Sequence, residues 1–467
     1  MKFSFRKMLA CGLLAGAMTF CAAGAANFDN AAKSLSDLGL LTGTDAGFDL
    51  DRPSTRGEAA AMLVRLLGKE AEALEAWKTD EASFAFTDMD DAAWAKPYVN
   101  WLVKNSLAAG VTETTFAPRD TCSAQMAATL LLRALGYSDA EGGDFSYFTA
   151  MSFAREKGVV DLANCNEKDF QRDHLVAMCY TTLACQPKSG EADLLSKLVT
   201  DGAIADNDAS KSVRQLFADY RDLSAAGTEL SDTTAVAAKL DLDMGITVDG
   251  EKLALGMDQD IAAIVDLEAM DDMQMSMVGS MTIQDGADVM TVPNEIYYRD
   301  GVMYMNSEGS KMKFQSSVDD AMEQAQLFTV QDAANSQTIS AVESLTKTTA
   351  GGKTTYVLTC NTKAMRGMID TVLGSMMEAL PDLDELPLDF SIDKAVVTQT
   401  VNAKGEPESM DMEIVMGMTV EDMTMQMELK MDMDITAFGD AVKVNFPADL
   451  DSYEDLLDQA AGLEDAA

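Results

Sequence analysis

From Met410 the chain alternates. Met410, Met412, Ile414, Met416, Met418 and Val420 are separated by Asp411, Glu413, Val415, Gly417 and Thr419. Beyond Glu421-Asp422, Met423, Met425, Met427, Leu429, Met431, Met433 and Ile435 alternate with Thr424, Gln426, Glu428, Lys430, Asp432 and Asp434. A period of two sends successive side chains to opposite faces of a strand. The two runs predict long antiparallel strands with one apolar and one charged face. The same reading predicts strands at 239–248, 252–267, 273–283, 354–362 and 392–401. The segment 296–305, broken by Asp300-Gly301, predicts a hairpin. Helical patterns at 318–328 and 365–380, the second stopped by Pro381, predict two inserted helices. One meandering antiparallel sheet over residues 234–450, with helices on one face, is the simplest architecture. Residues 451–467 read as an acidic tail.

Upstream the pattern is helical. Residues 48–68 read as a turn, then Thr55-Arg56-Gly57-Glu58, then an apolar helix closed by Gly68. Thr55 with Glu58 three residues on is the pattern of a capping box. Arg56 is not needed by the cap, and a cation at the positive end of a helix is locally unfavourable. An arginine kept there points to an anionic ligand, held by its guanidinium and by free backbone N–H groups. The alternative is a surface arginine that pairs with a nearby acid.

The segment repeats. A second copy runs through Phe86, Asp88, Trp94, Ala95, Tyr98, Gly110 and Phe116-Ala117-Pro118, then from Met126 to Arg133-Ala134-Leu135-Gly136. A third has Phe153, Gly158, Phe170-Gln171-Arg172-Asp173-His174 and Leu175 to Leu183. The approximate bounds are 27–75, 84–140 and 145–186. The set resembles the S-layer homology (SLH) family, whose pattern is Phe-x-Asp-Val, Trp-Ala, a turn with Phe-x-Pro, Ile-Thr-Arg-Ala-Glu and a helix. Aligned on the turn, copy one keeps Thr55, Arg56 and Glu58. Copy two has Ser123, Ala124 and Met126 in their place. Copy three has Gln171, Arg172 and His174. The resemblance implies an all-α module of three repeats whose grooves bind secondary cell-wall polysaccharide, often through a carboxylated sugar. It implies a polymer site drawn from Thr55, Arg56, Glu58, Asp88, Trp94 and Arg172. Ala124 leaves one groove without the motif arginine, and a module that keeps the fold without the affinity is the alternative.

The first residues fit export. Lys2, Arg6 and Lys7 precede an apolar run from Met8 to Ala22, and Ala23-Gly24-Ala25 is a cleavage signal. Residues 1–26 therefore read as a signal peptide. Phe20 beside Cys21 disfavours lipidation. No later apolar run reaches the ~18 residues of a transmembrane segment. The expected localisation is the cell wall or cell surface, and residues 187–233 read as a helical linker.

Net charge is −42. So acidic a chain repels phosphate backbones, which excludes nucleic acid as a plausible partner. After the leader, Cys122, Cys165, Cys179, Cys185 and Cys360 remain, with no C-x-x-C pair. Free buried thiols are expected, with at most one bridge inside copy three. His174 is the only histidine, so neither a zinc site nor a Ser-His-Asp triad is expected. No enzyme motif or cofactor loop stands out. A carboxylate dyad of a surface hydrolase is the weakest alternative, because the acids fall on the solvent side of the strands.

The Met-rich sheet resembles the half-barrel domains of exported bacterial proteins, which are similar to lipoprotein-carrier folds. That resemblance implies an apolar or lipid-like ligand between sheet and helices. Unbranched, polarizable methionine also suits an ordinary core. Thioethers two apart could hold a soft metal, but no His or Cys joins them, so no metal is expected. The overall expectation is a multidomain α + β surface protein, the sheet either binding an apolar ligand or partner or serving structure alone.

Overall fold

The computed structural model describes residues 28–455 except 44–46, 162–163, 232–234, 249, 265–272, 316–338, 365–387 and 421–422. The expected leader, both expected inserted helices and residues 456–467 lie outside the described residues.

The N-terminal half is built from short helices: α1 (Asp29–Asp37), α2 (Arg56–Leu66), α3 (Glu70–Asp80), α4 (Lys96–Lys104), α5 (Ala124–Ala134), α6 (Ala150–Glu156) and α7 (Arg172–Ala184). Each copy supplies a first helix (α1, α4, α6) and a second (α2, α5, α7). Their packing is cyclic: α4 lies on α2, α6 on α5, and α1 on α7. Each first helix thus covers the second helix of the copy before it, and α1 closes the ring. Apolar residues on both sides drive this, since Leu35, Leu63, Leu66, Leu102, Leu131 and Leu132 are fully buried. α2 ends on Gly68 at φ +65, where a Cβ would lie 2.2 Å from the carbonyl oxygen of Ala203. Only glycine meets both demands.

Two more helices follow, α8 (Leu194–Thr200) and α9 (Asp208–Ser231). They pack rather than merely link. Leu194, Leu195 and Phe217 are buried, and Val213, Phe217 and Tyr220 form a stripe at helical spacing.

The rest is one twelve-stranded sheet: β1 (Ala235–Val248), β2 (Glu251–Ile264), β3 (Gln274–Asp285), β4 (Asp288–Arg299), β5 (Val302–Ser307), β6 (Ser310–Gln315), β7 (Val342–Ala350), β8 (Lys353–Cys360), β9 (Leu388–Val401), β10 (Pro407–Val420), β11 (Met423–Phe438) and β12 (Glu454–Asp455). The order is β12-β6-β5-β4-β3-β2-β1-β11-β10-β9-β8-β7. All pairs are antiparallel except β12 with β6. Two meanders, β1 to β6 and β7 to β11, are joined at the centre by β1 and β11. Tyr453 is buried and β12 pairs with β6, so the sheet runs past the expected boundary at 450.

The alternation holds in space. Met416, Met418, Met425 and Met427 are buried beside Ile246 and Val248. They share one continuous core with the helical half, against which Leu216, Tyr220 and Leu223 of α9 pack. On the opposite face Asp411, Asp432, Asp241 and Asp258 stand directly across from one another on four adjacent strands. Burial, then Asp243, Asp258 and Asp432, hold the Asp241 carboxyl above its usual range. A pocket of about 500 Å³ on the described part of the sheet lies on this polar face and includes Asp241, Asp258, Lys252 and Lys430.

The five cysteines are free, so copy three has no bridge. Burial pushes the thiols of Cys122, Cys165, Cys179 and Cys185 up to about 12.

Candidate functional site

The starts of α2 and α7 are bonded in the same way to the turn of the next copy. The Arg56 amide donates to the Asp120 carbonyl and the Gly57 amide to Pro118, both at 2.9 Å. The Arg172 amide donates to Arg52 at 2.8 Å and the Asp173 amide to Leu50 at 3.0 Å. Those acceptors stand three and five residues before the next helix cap in both cases. The side chains repeat too: Arg56 Nε donates to the Phe116 carbonyl at 2.9 Å, and Arg172 Nε to the Phe48 carbonyl at 3.1 Å. Among the described residues, α5, which begins with Ala124, shows no such backbone pair.

Thr55 and Glu58 form the capping box. The Glu58 amide donates to Thr55 Oγ1 at 3.2 Å, and the Thr55 amide to Glu58 Oε2 at 2.8 Å. Glu58 has a second task. Arg52 grips it through Nη1 and Nη2, at 3.0 and 2.7 Å, and also reaches Asp49. Burial opposes ionisation of Glu58, yet Arg52, Thr55 and Arg172 hold its carboxyl below the usual range. Sequence reasoning missed Arg52, because the partner it neutralises is fixed only by the fold of the turn.

Asp88 accepts from the Phe116 amide at 2.9 Å and the Ala117 amide at 2.7 Å. Burial opposes it, but those bonds and the charge of Arg56 keep its carboxyl low. Its carboxylate therefore shapes the turn that Arg56 touches. Trp94 is 53% exposed, with its ring centroid 6.5 Å from that of Tyr98. It does not line the cavity described next.

That cavity, about 240 Å³, lies between α2 and α5. Arg56, Ala59 and Ala60 form one wall; Met126, Leu130 and Arg133 form another; Phe116 and Tyr147 also line it. Tyr147 adjoins Phe148, which is 89% exposed. Arg133 is fully occupied, donating to both carboxylate oxygens of Asp139 at 2.8 and 2.6 Å and to the Leu107 carbonyl at 2.9 Å. Arg65 stands at the same place in copy one and pairs with Glu70 at 2.9 Å. The shared position of Arg65 and Arg133, each followed by an acid, was a readable signal for this structural role.

Arg56 differs. Its guanidinium lies 4.8 Å over the Phe116 ring and its Nη1 reaches the Met126 sulfur at 3.3 Å. Every other arginine among the described residues has a carboxylate oxygen within 4.0 Å; Arg56 has none. A cation without a direct carboxylate partner therefore stands in the wall of a largely apolar cavity.

Arg172 is 8% exposed, with Nη1 buried and without a hydrogen-bond partner. Burial lowers its affinity for the proton, and Glu58 lies 4.0 Å away. Burial also pushes Asp173 up to about 7 and His174 down to about 4. His174 Nδ1 accepts from the Gln171 amide at 3.0 Å, so the imidazole is neutral and its 3.2 Å approach to Asp173 is not an ion pair.

Comparison with known proteins bears on both halves. Residues 85–123 match the S-layer homology domain, so the chain carries that domain in copy two. Residues 224–452 match a family of unknown function, DUF6612. A middle cell wall protein of Brevibacillus brevis is 30% identical over 119 residues, 25% of this chain and 11% of that protein. A surface layer protein of Brevibacillus choshinensis is also 30% identical over 119 residues, 25% of this chain and 10% of that protein. A cell surface protein of Thermoanaerobacter kivui is 32% identical over 115 residues, 24% of this chain and 15% of that protein. The chain thus spans about a tenth of the length of the first two relatives. LprF from Mycobacterium bovis superposes with a TM-score of 0.26 at 9% identity, over 49% of this chain and 96% of that one. A beta-barrel-like protein of the DUF1849 family from Brucella abortus gives 0.14 at 11% identity, over 44% and 100%. Those scores are too low to carry a fold assignment.

Proposed function

We propose that the helical half holds this protein non-covalently on secondary cell-wall polysaccharide, with the Arg56 groove as the point of attachment. The chain is a cell-surface protein. All three copies act as one module of the S-layer homology type, and the role is attachment and display rather than catalysis. The observation that carries this reading is the Arg56 guanidinium, which has no described carboxylate oxygen within 4.0 Å, feels only the more distant charge of Asp88, and faces an apolar cavity.

Thr55, Glu58 and Asp88 serve the site indirectly. They cap α2 and shape the turn that positions Arg56. The test uses the chain from residue 27 on. It co-sediments with purified sacculi, and stripping the secondary polymer abolishes this. Arg56→Ala weakens binding by about 1.5–3 kcal/mol, the range of a charge-assisted bond. Unchanged sedimentation in a folded Arg56→Ala variant rules the groove out.

For the sheet, the burial of Met416, Met418, Met425 and Met427 in the shared core favours a structural, half-barrel-like display domain. An apolar ligand would have to use the half-buried part of the same face, around Leu242, Met257, Met281 and Met431. Saturable binding of an apolar fluorophore by the folded protein would favour the ligand reading.

A further inference from the structure

The three helix starts face different side chains. Arg172 faces the carboxylate of Glu58 at 4.0 Å. In copy two the position of Glu58 is taken by Met126, and Arg56 faces its sulfur at 3.3 Å. The start of α5 has Ala124 and no guanidinium at all. One interface therefore has a cation with a carboxylate at 4.0 Å, one has a cation with no carboxylate oxygen that near, and one lacks the cation.

We propose that Met126 determines the specificity of the Arg56 groove: a thioether where the other arginine meets a carboxylate leaves Arg56 free for an anionic sugar substituent, and makes this the only one of the three interfaces selective for an anion. This rests on the attachment reading above. A carboxylate at 126 would reach the same guanidinium, compensate it, and repel an incoming anion in a groove of low dielectric. Met126 instead adds polarizable apolar surface beside Ala59, Leu130 and Tyr147. The ligand that fits presents one negative group to Arg56 and an apolar face, such as the C–H face of a pyranose, to these side chains.

The test substitutes Met126→Glu in the chain from residue 27 on. Expected is at least a tenfold loss of affinity for sacculi, with a melting temperature equal to or above the parent's. Met126→Leu, which keeps size without charge, binds within twofold of the parent. If Arg56→Ala loses binding but folded Met126→Glu does not, the inference falls and the attachment reading stands. If Arg56→Ala is silent, both fall. A second measurement needs no variant. Isolated polymer competes for the parent protein before and after carboxyl reduction, and before and after dephosphorylation. Loss of competition after one treatment supports the inference and names the anion as carboxylate or phosphate. Full competition after both overturns it.

Discussion

The carboxylate of Glu58 comes within 4.0 Å of the guanidinium of Arg172, across the boundary between the first and third copies. Because Glu58 is also held by Arg52 and by the cap of α2, this contact ties three elements into the ring. Arg172 thereby has an internal carboxylate that Arg56 lacks, although the two occupy the same motif position.

Arg172→Leu is accordingly expected to affect stability and not attachment. It strands the Phe48 carbonyl, at a cost of about 1–3 kcal/mol, partly offset by relief from burying a charge with an unpartnered Nη1. Denaturant unfolding measures the first effect and sedimentation with sacculi the second, where binding stays within twofold. A tenfold loss of binding at unchanged stability would return Arg172 to the ligand site.

Asp173 carries a pH dependence whose sign follows from its burial. Its carboxyl titrates near 7 in the fold against an ordinary 3.8, because desolvation outweighs the bond from the His174 amide, with Asp169 and Asp51 adding like charge. The folded state therefore binds the proton more tightly than the unfolded state. Its ionisation removes stability as pH rises from about 4 to about 7, and the full penalty persists above that. Asp173→Asn is expected to be more stable than the parent at pH 8, by an amount on the order of 2–4 kcal/mol. The difference shrinks toward zero near pH 4. Denaturant titrations at pH 4, 6 and 8 check it; a pH-independent difference refutes the assignment.

Much of this architecture was legible where a pattern is local. The Met410–Ile435 alternation pairs in space as read, Met410 opposite Met433 and Met418 opposite Met425. Asp300 and Gly301, at φ +53 and +75, make the expected hairpin turn. The Thr55–Glu58 capping box forms. Less visible was β7, Val-Glu-Ser-Leu-Thr-Lys-Thr-Thr-Ala, an edge strand mostly exposed beyond Val342 and Leu345, with no alternating apolar face to mark it. The pairing of β1 with β11 joins segments far apart in the chain, which no local period encodes. Likewise, that Met126 faces Arg56 while Glu58 faces Arg172 emerges only once the copies close into a ring. The motif alone makes the two arginines look alike.

The sheet has apolar and charged faces complete enough on paper to suggest a domain that folds alone. The packing argues otherwise. Met427 is wholly buried, and with Met416, Met418 and Met425 it belongs to the core that continues into the helical half. Asn30 of α1 reinforces the junction, donating to the Ser340 and Val342 carbonyls at 3.1 and 2.8 Å and accepting from Asn361 at 2.9 Å. The two halves are therefore expected to unfold in one transition, with coincident far-UV and tryptophan signals. The tryptophans Trp77, Trp94 and Trp101 all lie in the helical half and report on it alone. Met427→Ala should cost about 2–5 kcal/mol and shift both signals together, although the substitution lies in the sheet. Met427→Leu, which conserves volume, should cost less than about 1.5 kcal/mol. A tryptophan transition left in place while the sheet signal moves would show that the shared core does not couple the halves. The helical module would then be an independent anchor.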